Sequence, residues 1–126
     1  MLDHIGIPVS DYAQSKQFYG HALAPLGIEV VMEVTAEETG NVPSCGLGSN
    51  GKPYFWISPG PVAHTHIAFA ADSRRDVDSF YKMALAAGGK DNGAPGLRPH
   101  YHADYYGAFV LDPDGHNIEA VCHRPE

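Results

Sequence analysis

The chain has 126 residues and a formal charge of −7, from 8 Lys and Arg against 15 Asp and Glu. A chain of this length suits one compact domain with its own core. No basic cluster exceeds the Arg74-Arg75 pair, so the footprint of a nucleic-acid binder is missing, and no stretch approaches the ~20 apolar residues of a membrane-spanning helix.

Residues 2 to 9 alternate, with Ile5, Ile7 and Val9 in one phase and Leu2, His4, Gly6 and Pro8 in the other, which predicts a half-buried strand. Ser10 or Asp11 can cap a following helix, where Tyr12, Phe18, Tyr19, Ala22, Leu23 and Leu26 fall near one face. Gly-bounded apolar runs at about 28–34, 44–48 and 53–58 then read as short strands.

At His66 the pattern restarts. An offset of 62 carries His4-Ile5 onto His66-Ile67, Phe18-Tyr19 onto Phe80-Tyr81, Ala22-Leu23-Ala24 onto Ala84-Leu85-Ala86, and Gly27 onto Gly89. These eight identities exceed the one or two that average composition would give by chance, so the chain reads as a duplication. Two copies are too few for a solenoid, and a single domain over 1–126 is expected, with module one at about 1–60 and module two at about 64–126.

The second copy has a strand with Ile67, Phe69 and Ala71 in one phase, an Asp72 or Ser73 cap, and a helix carrying Val77, Phe80, Tyr81, Ala84 and Leu85. Gly, Pro and Asn dominate residues 89–104, which read as a loop. Two strands, at about 105–111 and 116–122, are joined by the Asp112-Pro113-Asp114-Gly115 turn. The order is strand, helix and three strands, twice, and the fold class is α+β.

Alternation places His4, His66 and Glu119 on the faces away from the helices, beside the small residues Gly6, Ala68 and Ala70. Two imidazoles and a carboxylate form the set that binds Fe(II), Mn(II) or Zn(II) with positions open for substrate. The alternative makes both histidines ordinary sheet residues that hydrogen-bond their neighbours.

The segment from Arg98 to Tyr106 is dense in proton-moving and anion-holding side chains. Read functionally, His102 and Tyr106 are acid/base candidates, and Arg98 and Tyr101 are substrate contacts. Read structurally, it is a polar loop with tyrosines on its rim. His64 shares the face of His66 and is expected to be solvated, as are His21, His116 and His123. Cys45 and Cys122 lack CxxC spacing and read as small core hydrophobes. The first residues have neither a basic start nor the apolar core of a secretory leader, so a cytoplasmic location is expected. There is no defensible Ser-His-Asp or Cys-His set and no phosphate-cradling glycine loop.

Three segments in this order resemble the vicinal oxygen chelate superfamily of glyoxalase I, fosfomycin-resistance proteins, extradiol dioxygenases and bleomycin-resistance proteins. They are Asp3-His4-Ile5-Gly6-Ile7-Pro8-Val9, Thr65-His66-Ile67-Ala68-Phe69, and the closing run from Phe109 through Asp112-Pro113-Asp114-Gly115 to Glu119. The resemblance implies two βαβββ modules forming a curled mixed β-sheet around a cavity, with helices outside. It also implies metal ligands at His4, His66 and Glu119, a divalent ion (Fe, Mn, Zn or Ni), a small-molecule substrate and a homodimer whose sites can draw on both subunits.

A fourth ligand of glyoxalase I falls on Trp56, which cannot bind a metal, and this puts the glyoxalase I activity itself in doubt. The reaction stays open among lyase or isomerase, dioxygenase and thiol-transferase chemistry. The alternative is a metal-free binding protein of the bleomycin-resistance type, with Tyr54 and Trp56 lining an aromatic cleft.

Overall fold

The computed structural model describes residues 1–126 except the side chain of Thr39. The first module runs β1 (Ile5–Val9), α1 (Tyr12–Ala22), a 3₁₀ turn (Ala24–Leu26), β2 (Glu29–Val34), a short α2 (Ala36–Thr39), β3 (Ser44–Ser49) and β4 (Lys52–Pro59). The second runs β5 (His66–Ala70), α3 (Arg74–Ala86), β6 (Lys90–Leu97), β7 (Tyr106–Leu111) and β8 (Asn117–Cys122). The α2 turn, opened by a Thr35/Glu38 capping box and ended by Gly40, is an element that the strand and helix periodicity does not predict.

Each module forms its own open four-stranded mixed sheet, ordered β1-β4-β3-β2 and β5-β8-β7-β6. The two orders are identical under the duplication, and in both the first strand pairs in parallel with the last. The fold is α+β, as expected.

Local chemistry sets the helix starts. Asp11 accepts from the Gln14 amide and Ser73 from the Asp76 amide, each satisfying a donor that has no partner inside the helix. Behind the caps, α1 buries Phe18, Tyr19 and Ala22, and α3 buries Val77, Phe80 and Ala84.

These faces meet the apolar phases of the strands, Ile7, Val9, Cys45, Leu47, Phe55 and Ile57 in one sheet and Phe69, Ala108, Val110, Ile118, Ala120 and Cys122 in the other. An edge-to-face series Phe18, Tyr19, Phe55 and Phe69, with centroids 5.0, 4.9 and 5.3 Å apart, carries the core from one module into the other. Burial of each such ring contributes about 1.5–3 kcal/mol. Among the described residues no helix is long and apolar enough to cross a membrane.

Residues 90–97, expected as loop, are instead strand β6. The strand lies at the sheet edge and its register against β7 shifts twice, around Gly93 and before Gly96. An edge position with bulges is where a strand tolerates Pro95 and two glycines, because one side of the backbone needs no ladder partner.

A second difference concerns His116, which is buried rather than solvated. Its Nδ1 accepts from the Thr65 amide at 3.1 Å and its Nε2 faces the Pro8 carbonyl at 3.4 Å. The Asp112–Gly115 turn around it reaches across to the first module. Asp112 accepts from the Tyr19 hydroxyl and from the Asp114 and His116 amides, and Asp114 accepts from the Ser10 hydroxyl and amide. The hairpin turn is therefore a latch between the modules.

Candidate active site on the open sheet faces

The face of the second sheet that points away from α3 carries His66, Ala68 and Ala70 from β5, Glu119 from β8, and Gly107 and Phe109 from β7, as the pairing Ala68↔Glu119↔Phe109 requires. His66 Nε2 lies 3.3 Å from Glu119 Oε1, with the imidazole half exposed and the carboxylate only 2% exposed. His66 Nδ1 contacts the Asn117 carbonyl at 3.0 Å, so that nitrogen carries the proton. In the neutral ring Nε2 then holds a lone pair directed at a carboxylate oxygen. Two acceptors at this distance need a cation between them, either a proton or a metal ion.

The other oxygen, Oε2, accepts from the Tyr105 hydroxyl. Burial, and then the Glu119 carboxylate, push the Tyr105 phenol up to about 12, so it stays a neutral donor at physiological pH. Gly107 makes room for this arrangement. A Cβ there would stand 3.2 Å from both Glu119 Oε2 and the Tyr105 ring.

His4 immediately precedes β1 and is exposed. Its Nδ1 contacts Asp3 Oδ2 at 2.8 Å and Asp3 also binds Lys52 at 2.5 Å; Lys52 first and His4 second hold the Asp3 carboxyl below the usual carboxylate range. His4 and His66 line one open cleft of about 660 Å³, with Tyr54, Ala68 and Ala70 on its walls. Glu119 does not line it.

Among the described residues the one His, Cys, Asp or Glu trio whose ligand atoms all lie within 4.8 Å of one another is Asp112, Asp114 and His116. These are the latch residues, and their acceptors already face protein donors. His4 is therefore not gathered with His66 and Glu119 within a single chain.

The remaining candidates separate by strand phase. Tyr106 points to the helix side, where its hydroxyl donates to Asp78 at 2.6 Å and Arg74 covers its ring at 5.3 Å. The Asp78 bond, and then burial, push its phenol up to about 12. Tyr105 is the residue that reaches Glu119, and sequence reasoning passed over it; alternation was the available signal, because Tyr106 shares the apolar phase of Ala108 and Val110.

His102 accepts from the Asp104 amide and meets His123 edge-on, and Tyr101 and His123 both set their rings against Tyr105. Arg98 donates to the Gly96 and Ala94 carbonyls. Tyr54 shares a hydrogen bond with Ser49, and Trp56 lies opposite both Gly6 and Gly46. A Cβ on Gly46 would come within 2.9 Å of the indole. His64 is exposed and stands against Gly115.

Comparison with known proteins agrees with this architecture. Residues 1–120 match the Glyoxalase/Bleomycin resistance protein/Dioxygenase superfamily model. A glyoxalase/bleomycin resistance protein from Albidiferax ferrireducens T118 is 31% identical with a TM-score of 0.78, covering 99% of each chain. A family enzyme from Burkholderia phytofirmans PsJN is 21% identical with a TM-score of 0.70, over 97% of this chain and 98% of that one. Glyoxalase I from Zea mays shares the fold at 19% identity and a TM-score of 0.72, over 99% of this chain and 45% of that longer one. No curated protein sequence matches the chain. Two βαβββ modules in matched order, together with a family model that spans nearly the whole sequence, show that this chain belongs to the Glyoxalase/Bleomycin resistance protein/Dioxygenase superfamily.

Proposed function

We propose that this protein is a metal-dependent small-molecule enzyme of the glyoxalase/dioxygenase type, with His66 and Glu119 as two ligands and His4 as the third. The observation that carries the reading is the His66–Glu119 pair. The Asn117 carbonyl fixes the imidazole proton on Nδ1, leaving Nε2 and Oε1 facing each other as two unshared donor atoms. His4 is prepared alike, its Nδ1 held by Asp3 and its Nε2 left for a ligand bond. A divalent ion in such a set polarises vicinal oxygens of a bound substrate. The residues present fit that ion: imidazole nitrogens and a carboxylate suit Fe(II), Mn(II), Zn(II) or Ni(II). Glu119 is held by Tyr105 through one oxygen, which keeps the other directed at His66 Nε2.

Because one chain does not gather His4 with the other two, the set is completed in a homodimer, where a twofold axis brings His4 of one copy to His66 and Glu119 of its partner. Elemental analysis of untagged protein prepared without chelators tests the reading, beside Glu119→Ala and His4→Ala. Near-stoichiometric metal in the wild type, lost in both variants, is expected. Co-refolding the two variants should restore part of it, since a mixed dimer has one intact site. Unchanged metal in Glu119→Ala sinks the ligand assignment. An empty wild type that refuses added metal favours the second reading, a metal-free binding protein of the bleomycin-resistance type, for which the aromatic Tyr54 and Trp56 on the open face of the first sheet are the supporting observation.

A further inference from the structure

We infer that the second sheet carries an anion subsite beside Glu119, built from Arg98 and Phe109, which receives the carboxylate of a flat organic acid. The inference takes His66 and Glu119 as the reacting centre, as proposed above, and adds the class of molecule brought to them.

The Arg98 side chain folds back across β6, with Nη1 donating to the Gly96 carbonyl and Nη2 to the Ala94 carbonyl, both at 2.8 Å. Two glycines leave the space. A Cβ on Gly96 would lie 3.1 Å from Nη1, and one on Gly93 would lie 3.3 Å from Nη2. The guanidinium sits over the Phe109 ring, 5.4 Å from its centroid, and Phe109 in turn stacks on His66 at 6.3 Å with the planes 25° apart. Cation, aromatic floor and metal-ligand pair thus follow one another across a single sheet face.

The backbone holds this cation in place. Arg98 N donates to the Tyr105 carbonyl at 2.7 Å, and the Arg98 carbonyl accepts from the Tyr101 and His102 amides, so the loop is closed on itself at the arginine. A guanidinium has five N–H groups. Two are used on backbone carbonyls, and the other three have no partner among the described residues. Tying two carbonyls does not require a planar five-donor head laid on an aromatic ring. Recognising a carboxylate makes use of one, because the fork matches two carboxylate oxygens and its rigidity removes ordering cost. In a chain of net charge −7 a fixed cation over the Phe109 ring also selects against neutral molecules of the same shape.

The test uses the full chain after chelator treatment, with amide NMR spectra titrated with benzoate and with benzamide, two flat probes that differ in charge. Benzoate is expected to bind about tenfold more tightly than benzamide, shifting the amides of Gly93, Gly96, Arg98 and Phe109. Arg98→Met should erase that preference, and Phe109→Leu should weaken both probes while keeping it. Should Arg98→Met fail to fold, Arg98→Lys, which keeps the charge without the fork, should show a reduced preference.

Equal binding of the two probes to the wild type, or benzoate shifts centred away from β6 and β7, overturns the inference. Metal plays no part in the titration. An empty metal site in elemental analysis would sink the preceding reading alone, and a metal-binding protein indifferent to benzoate would sink only this one.

Discussion

Trp56 occupies in the first sheet the place that Glu119 occupies in the second. Each lies in the last strand of its module, opposite the residue two positions beyond a histidine, Gly6 beyond His4 and Ala68 beyond His66. The duplication therefore supplies two equivalent half-sites, one with a carboxylate and one with an indole. Gly6 and Gly46 flank the indole, so a smaller side chain at 56 meets no obstacle. Trp56→Glu is expected to tighten Mn(II) binding by about tenfold or more, since affinity follows the charge count of the ligands; titration calorimetry on both proteins checks it, and unchanged affinity would show that residue 56 does not reach the metal.

Removal of the Tyr105 hydroxyl isolates a buried acceptor. Tyr105→Phe leaves Glu119 Oε2 without its donor in a nearly solvent-free position, and should cost about 1–3 kcal/mol of stability in urea unfolding. Tyr106→Phe removes a bond to the exposed Asp78 and should cost less. A larger loss at 106 would place the critical hydroxyl on the wrong face of the strand.

The same two phenols set a pH dependence. Both are pushed up to about 12 in the folded chain, against an ordinary value of 10. A group that binds its proton more tightly when folded contributes stability fully below its unfolded value and loses it as pH rises to the folded one. The melting temperature should therefore fall between about pH 10 and 12, and more steeply in the wild type than in the Tyr105→Phe, Tyr106→Phe double variant. Parallel slopes in the two proteins would remove these tyrosines from the account.

The latch predicts a division of labour among carboxylates. Asp112→Ala strands the buried Tyr19 hydroxyl and two amides, and should destabilise the fold by about 3 kcal/mol or more. Asp114→Ala loses the more exposed contact with Ser10 and should cost about 1 kcal/mol. Neither loss should lower metal content measured at equal folded protein. Metal that leaves with Asp114→Ala would turn the latch into the metal site.

Strand alternation is sufficient to read β1, β5 and β8, because each has one face against a helix and the apolar phase is unmistakable, and β7 reads as an apolar run before a turn. Alternation fails at β6, where glycine and proline carry no periodic signal and a strand exists only because β7 offers it a partner. The burial of His116 is illegible in the sequence for a related reason. Nothing local distinguishes a solvated histidine after a turn from one buried against Thr65 and Pro8, whose contacts come from 51 and 108 residues away. Within the 98–106 segment composition marked the region, but the choice between Tyr105 and Tyr106 depended on carrying the phase of β7 back through its first residue.

The sequence by itself determined the duplicated module, the face on which His66 and Glu119 stand, and the apolar phases that become the core. All of these follow from local periodicity, which records which way a side chain points from its own strand. Only the tertiary structure decided which of those side chains meet. The 3.3 Å approach of His66 to Glu119, the hold of Tyr105 on the second carboxylate oxygen and the failure of His4 to close a trio with that pair depend on how strands and sheets are set against one another. The first two are set by the pairing of β5, β8 and β7 within the second sheet and the last by how the two modules sit together, and alternation along a strand carries no information about either.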